Sequence, residues 1–114
     1  MDHIKRWMTG SGRFRILVAD STDSIRAATE RLQASPAVTD IFGRLLTGTA
    51  LMQLAQSPVD RVQCALEHSG RAGQFLADVW PGPRVRGRVA VPAAVGEPIL
   101  GMDCQVSVSR HAMR

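Results

Sequence analysis

Two Ser-Pro dipeptides, Ser35-Pro36 and Ser57-Pro58, bracket a stretch in which Val38, Ile41, Phe42, Leu45, Leu46 and Thr49 recur at helical spacing. Proline lacks an amide hydrogen and is best tolerated at a first helical position, with serine before it as the cap. The first dipeptide therefore opens a helix and the second ends it, which predicts a helix over 36–56. Beyond Gly48 the apolar residues Ala50, Leu51, Met52, Leu54 and Ala55 surround the helix axis. The C-terminal half is thus expected to be covered on most sides, as the central core element. Thr47, Gly48, Thr49 and Gln53 interrupt this segment, which falls well short of the roughly 20 apolar residues of a membrane span.

The flanking sequence has other periods. Phe14, Ile16 and Val18 alternate with Arg15, Leu17 and Ala19, predicting a strand over 13–19. The residues before Thr9-Gly10-Ser11-Gly12 read only as a short amphipathic start. Asp20-Ser21-Thr22-Asp23 offers oxygens to cap a helix over 22–34, with Ile25, Ala28 and Leu32 facing inward. From residue 60 the period becomes two, with Val62, Cys64 and Leu66 on one side, and His68-Ser69-Gly70-Arg71 has turn character. Segments 74–80 and 84–91 read as strands joined by a tight turn at Pro81-Gly82-Pro83, an antiparallel hairpin. After a Pro-, Ala- and Gly-rich loop, Cys104, Val106 and Val108 alternate with Gln105, Ser107 and Ser109 in a last strand. With 114 residues, 45% of them hydrophobic, one domain is expected. Its order of strand, two consecutive helices and four strands is an α+β layout, with a mainly antiparallel sheet packed against the helices. No later strand follows a crossover helix, which disfavours a parallel, doubly wound sheet.

Reaction chemistry finds few parts here. The chain lacks a GxxxxGK[ST] loop, a GxGxxG turn and an HExxH helix, and its aspartates are scattered, so no catalytic or cofactor-binding residue is nominated. Cys64 and Cys104 stand far apart and outside any CxxC or CxC pattern, and with His68 they do not fill a zinc site. Ser69 lacks the flanking glycines of a nucleophile elbow. The formal charge is +4, from basic residues that are all arginine except Lys5. Arg84, Arg86 and Arg88 share one strand face, which Arg61, Gln63 and Gln74 join if the register permits. That stripe leaves open a small basic nucleic-acid-binding module, although no aromatic platform interleaves the arginines. Leu76 and Trp80, on the face opposite Phe75, Ala77 and Val79, are the candidate substrate-binding residues.

The run from Ser35 to Met52, together with Gly73-Gln74-Phe75-Leu76-Ala77-Asp78 and Val85-Arg86-Gly87-Arg88-Val89-Ala90-Val91-Pro92, resembles the N-terminal core of the heat shock protein 33 family. The Val-Ala-Asp-Ser-Thr strand exit precedes them in the matching order, and the resemblance runs from about Ile4 to Ser109. It implies a non-catalytic, cytoplasmic holdase that works without ATP, binds unfolded or misfolded proteins and forms homodimers or larger self-assemblies. Neither membrane nor nucleic acid is implied as a partner. Family members hold zinc through a CxC and a CxxC in a separate C-terminal redox domain. Residues 1–114 are accordingly expected to be a single, partial N-terminal core domain, with that domain absent and no cofactor in this chain. Sheet edges or helix faces left uncovered would favour self-association.

Overall fold

The computed structural model describes residues 2–82 and 84–113. Its elements follow in the order β1 (His3–Met8), β2 (Arg15–Asp20), α1 (Thr22–Leu32), α2 (Pro36–Gln56), β3 (Arg61–Glu67), β4 (Phe75–Trp80), β5 (Arg84–Val89) and β6 (Gln105–His111). The fold is α+β, and every strand pairing is antiparallel. Two sheets form where one was expected: β1 pairs with β2 alone, and the other four strands are ordered β5-β4-β3-β6. Strand β1 was not foreseen, because its residues show no clean alternation of apolar and polar side chains.

Helix α2 occupies the span that the Ser-Pro dipeptides predict. The Ser35 hydroxyl accepts the Val38 N–H at 3.3 Å, and the Ser57 N–H closes the far end on the Gln53 carbonyl. Val38, Phe42, Leu46 and Thr49 are buried against the inner face of the four-stranded sheet, where Cys64, Leu66, Phe75, Ala77 and Val89 complete the core. Gly87 makes this seating possible: a Cβ there would stand 2.7 Å from the Phe42 ring. Two expectations change along the helix. Ala50, Leu51, Met52, Leu54 and Ala55 are only half-buried, whereas Gln53, a polar interruption, is buried completely. Its Nε2 donates to the Pro58 and Asp60 carbonyls at 3.1 Å each, clasping the turn into β3.

Helix α1 ends two residues before the expected boundary, where Gln33 adopts a left-handed φ of 54°. Its first amides are capped from outside the helix. Asp2 accepts the N–H groups of Asp23 and Ser24 at 2.8 and 2.9 Å, and Asp20 accepts that of Thr22 at 3.1 Å. Ser21, an expected cap, instead bonds the Thr47 hydroxyl of α2 at 2.6 Å. Strands β4 and β5 form the predicted hairpin with slightly shorter limits, and Pro83 of the expected turn lies outside the described residues. Helix α2 packs on β3, β4 and β5 and leaves the same face of β6 open, so Val106 and Val108 are 59% and 50% exposed. Among the described residues no helix is long and apolar enough to cross a membrane.

Candidate functional site

Directly opposed residues of paired strands share a face, so the β1–β2 register sorts the hairpin's side chains. Trp7 faces Ile16 and Lys5 faces Val18, and Phe14 continues that side by parity. All four apolar residues lie open to solvent: Trp7 at 51%, Phe14 at 69%, Ile16 at 55% and Val18 at 49%. The reverse face turns Ile4, Leu17 and Ala19, each half-buried, toward the body of the protein. There the Arg15 guanidinium donates to the Ala55 carbonyl near the end of α2. The hairpin thus gathers four exposed apolar side chains on one face, and an uncovered apolar patch on a folded chain marks a contact surface.

Beneath the hairpin lies a cavity of about 470 Å³, floored by Leu46, Ala50 and Leu54 of α2 and reached by Ile4, Ile25 and Val85. Asp2 and Asp20 stand at its polar side. Both carboxyls are held below the usual carboxylate range, Asp2 chiefly by the Ser24 hydroxyl and Asp20 chiefly by the Thr22 N–H.

The outer face of the four-stranded sheet carries the residues predicted from sequence. The register places Leu76 opposite Arg88, Asp78 opposite Arg86 and Trp80 opposite Arg84, with Gln63 beside Asp78. Leu76 and Trp80 are both half-buried. The Trp80 ring lies under two guanidinium groups, that of Arg61 at 5.0 Å and that of Arg86 at 5.1 Å. Such stacks stabilise by cation–π attraction and cover the ring. Asp78 is buried; its Oδ1 accepts Nε and Nη2 of Arg61 at 3.1 and 2.9 Å. Arg84, Arg86 and Arg88 are exposed, with no carboxylate at ion-pair distance among the described residues.

The remaining sequence candidates serve structure. Cys64 is a buried core residue and Cys104 is exposed, its thiol donating to the Gly101 carbonyl. No group of three or more His, Cys, Asp or Glu residues among those described is placed to hold a metal ion. His68 is half-buried, and its Nδ1 accepts the N–H groups of Gly70 and Gly101 at 2.8 and 3.0 Å. Ser69 next to it donates from both backbone and hydroxyl to Asp103, which holds that carboxyl below its ordinary range. Together His68 and Asp103 clasp the loop before β6 onto the β3–β4 turn. Sequence reasoning missed the hairpin face, although Trp7, Phe14, Ile16 and Val18 were legible as apolar residues; what was missing was the strand that pairs them.

These features define a class: an α+β module that displays apolar and cationic surface at the rims of a well-filled core. The chain belongs to the Hsp33 protein family, whose model matches residues 2–112. It is 32% identical to the 33 kDa chaperonin of Thermus thermophilus over 96 residues, covering 82% of this chain and 28% of that protein. It is 36% identical to the 33 kDa chaperonin of Pelobacter propionicus over 100 residues, covering 88% of this chain and 33% of that one. The crystal structure of the 33 kDa chaperonin from Thermotoga maritima superposes with a TM-score of 0.75 at 19% identity, over 97% of this chain and 45% of the other. The chain thus spans about a third of the length of these curated relatives.

Proposed function

We propose that this chain acts as a non-enzymatic, ATP-independent holdase that captures unfolded polypeptide on the solvent face of the β1–β2 hairpin. One observation carries the reading: Trp7, Phe14, Ile16 and Val18 share one face of the hairpin, each about half exposed or more. A client segment laid across it gains roughly 25 cal/mol for each Å² of apolar area removed from water, before ordering costs are subtracted. The gain is indifferent to client sequence, which suits a protein that must hold many partners. Leu76 and Trp80 would add a smaller contact on the outer sheet face. In this reading residues 1–114 carry no redox switch of their own, the setting is cytoplasmic, and a second copy associates through the uncovered β6 edge beside Val106 and Val108.

The test is suppression of light scattering from a thermally unfolded client, without nucleotide, by the intact chain and by a Trp7→Ser/Phe14→Ser/Ile16→Ser variant. Suppression by the intact chain and its loss in a variant with unchanged circular dichroism is the expected result. Equal suppression by both would remove the hairpin from the reading, and none by the folded intact chain would end it. A single monomeric mass at high concentration, in multi-angle scattering of the same samples, would count against self-association.

A further inference from the structure

Strand β5 is an outer strand of the four-stranded sheet, bonded to β4 on one side only. The Ala90 N–H bonds the Gln74 carbonyl at 2.9 Å, so by antiparallel alternation residues 84, 86 and 88 direct their backbone groups to β4. Val85 and Gly87 direct theirs outward, and among the described residues no donor or acceptor meets them. Two features flank this open edge. On the outer face stand Arg84, Arg86 and Arg88, exposed and without carboxylate partners among the described residues. On the inner side, where α1 packs against β5, Val85 borders the apolar cavity beneath the hairpin.

We propose that the free edge of β5 takes up an extended polypeptide segment as an added strand. Acidic residues at alternate positions of that segment would face the three arginines, and apolar residues between them would turn toward Val85 and the cavity. The pattern follows from the pleat: neighbours of one strand face alternate sides, and an added strand in register matches acid to Arg on one side and apolar to Val on the other. The same stripe selects against a second copy, because two β5 edges brought together would set arginines opposite arginines. A polypeptide is favoured over a nucleic acid on two grounds. Only a polypeptide supplies N–H and C=O groups to the outward backbone of Val85 and Gly87. In addition, the Trp80 ring, the one aromatic platform on this face among the described residues, lies beneath two guanidinium groups. The proposal does not rest on the hairpin's apolar face.

The experiment measures fluorescence anisotropy of labelled probes with the intact chain: a short peptide of alternating Glu and Val, its scrambled isomer, its backbone N-methylated form, the Lys/Val counterpart and a single-stranded oligonucleotide. The alternating Glu/Val peptide is expected to bind best. The variant Arg84→Glu/Arg86→Glu/Arg88→Glu should weaken it by about tenfold or more and should gain affinity for the Lys/Val peptide. Equal binding of the scrambled or N-methylated peptide would overturn strand addition. No binding of the alternating peptide by folded protein, or tighter binding of the oligonucleotide at the same arginines, would overturn the proposal as well.

Discussion

Phe42 and Trp7 are both rings on regular secondary structure in one small chain, yet Phe42 is 0% exposed and Trp7 51%. Around Phe42 every level of the molecule agrees. Helix α2 brings Val38, Phe42 and Leu46 to one side, β3 and β4 bring Cys64, Leu66, Phe75 and Ala77 to meet them, and Gly87 leaves room for the ring. Around Trp7 one face of a two-stranded ribbon is seated on α2 while the other meets water. An isolated two-stranded hairpin is marginal at best, so this one depends on its seat: the half-buried Ile4, Leu17 and Ala19, the Arg15 bond to Ala55, and Asp2 at the start of α1. The contrast separates apolar residues that hold the fold from apolar residues that the fold holds out.

The largest effect should come from the first region. Phe42→Ala removes a fully buried ring from the centre of the helix–sheet contact and should cost about 4 kcal/mol in urea unfolding. A cost below about 1 kcal/mol would mean that the α2–sheet contact is not the core.

A smaller effect is expected at the clasp of His68, Ser69 and Asp103, which ties the loop before β6 to the β3–β4 turn. Because Ser69 lowers the Asp103 carboxyl in the folded chain, the charged form favours folding above the ordinary carboxylate range. That contribution disappears as pH falls through the lowered value. Asp103→Asn keeps the oxygen that accepts from Ser69 but loses the charge. Its melting temperature should fall modestly below that of the intact chain at neutral pH and converge with it as pH falls through the lowered value. A gap that is constant across pH would show that the charge on Asp103 does not matter to the clasp.

What could be read from residues alone follows the same division. Helix α2, the β4–β5 hairpin and the arginine stripe were legible because each obeys a period that one-sided burial imposes. Arg61 and Gln63 do share the stripe's face, as a matching register required. Strand β1 was illegible for the opposite reason. With Trp7 and Lys5 on its open face and Ile4 and Arg6 on the other, neither side is consistently apolar. In β6 the alternation was legible and the burial was not, since Val106 and Val108 keep the pattern of an inner face on which α2 does not pack. Gln53 and His68 escaped because their burial depends on backbone groups supplied by turns: the Pro58 and Asp60 carbonyls for one, the Gly70 and Gly101 amides for the other. The hairpin face is long-range in the same sense. Trp7 and Ile16 become one surface only through pairing across the turn.

The smallest expected effect on stability is the sharpest test of the division. Trp7→Thr/Ile16→Thr replaces one directly opposed pair on the open face with residues that favour extended backbone, so the ribbon should persist. Since both side chains are more than half exposed in the folded chain, little burial is lost, and the free energy of urea unfolding should change by less than about 0.5 kcal/mol. Client protection should nevertheless fall, because the area lost is area offered to a partner. A stability loss of about 2 kcal/mol would place these residues with Phe42 as structural packing. Unchanged stability with unchanged protection would leave the ribbon as mere surface and move client contact elsewhere on the molecule. Only an unchanged midpoint with weakened protection joins the exposed face to a task that the buried one does not share.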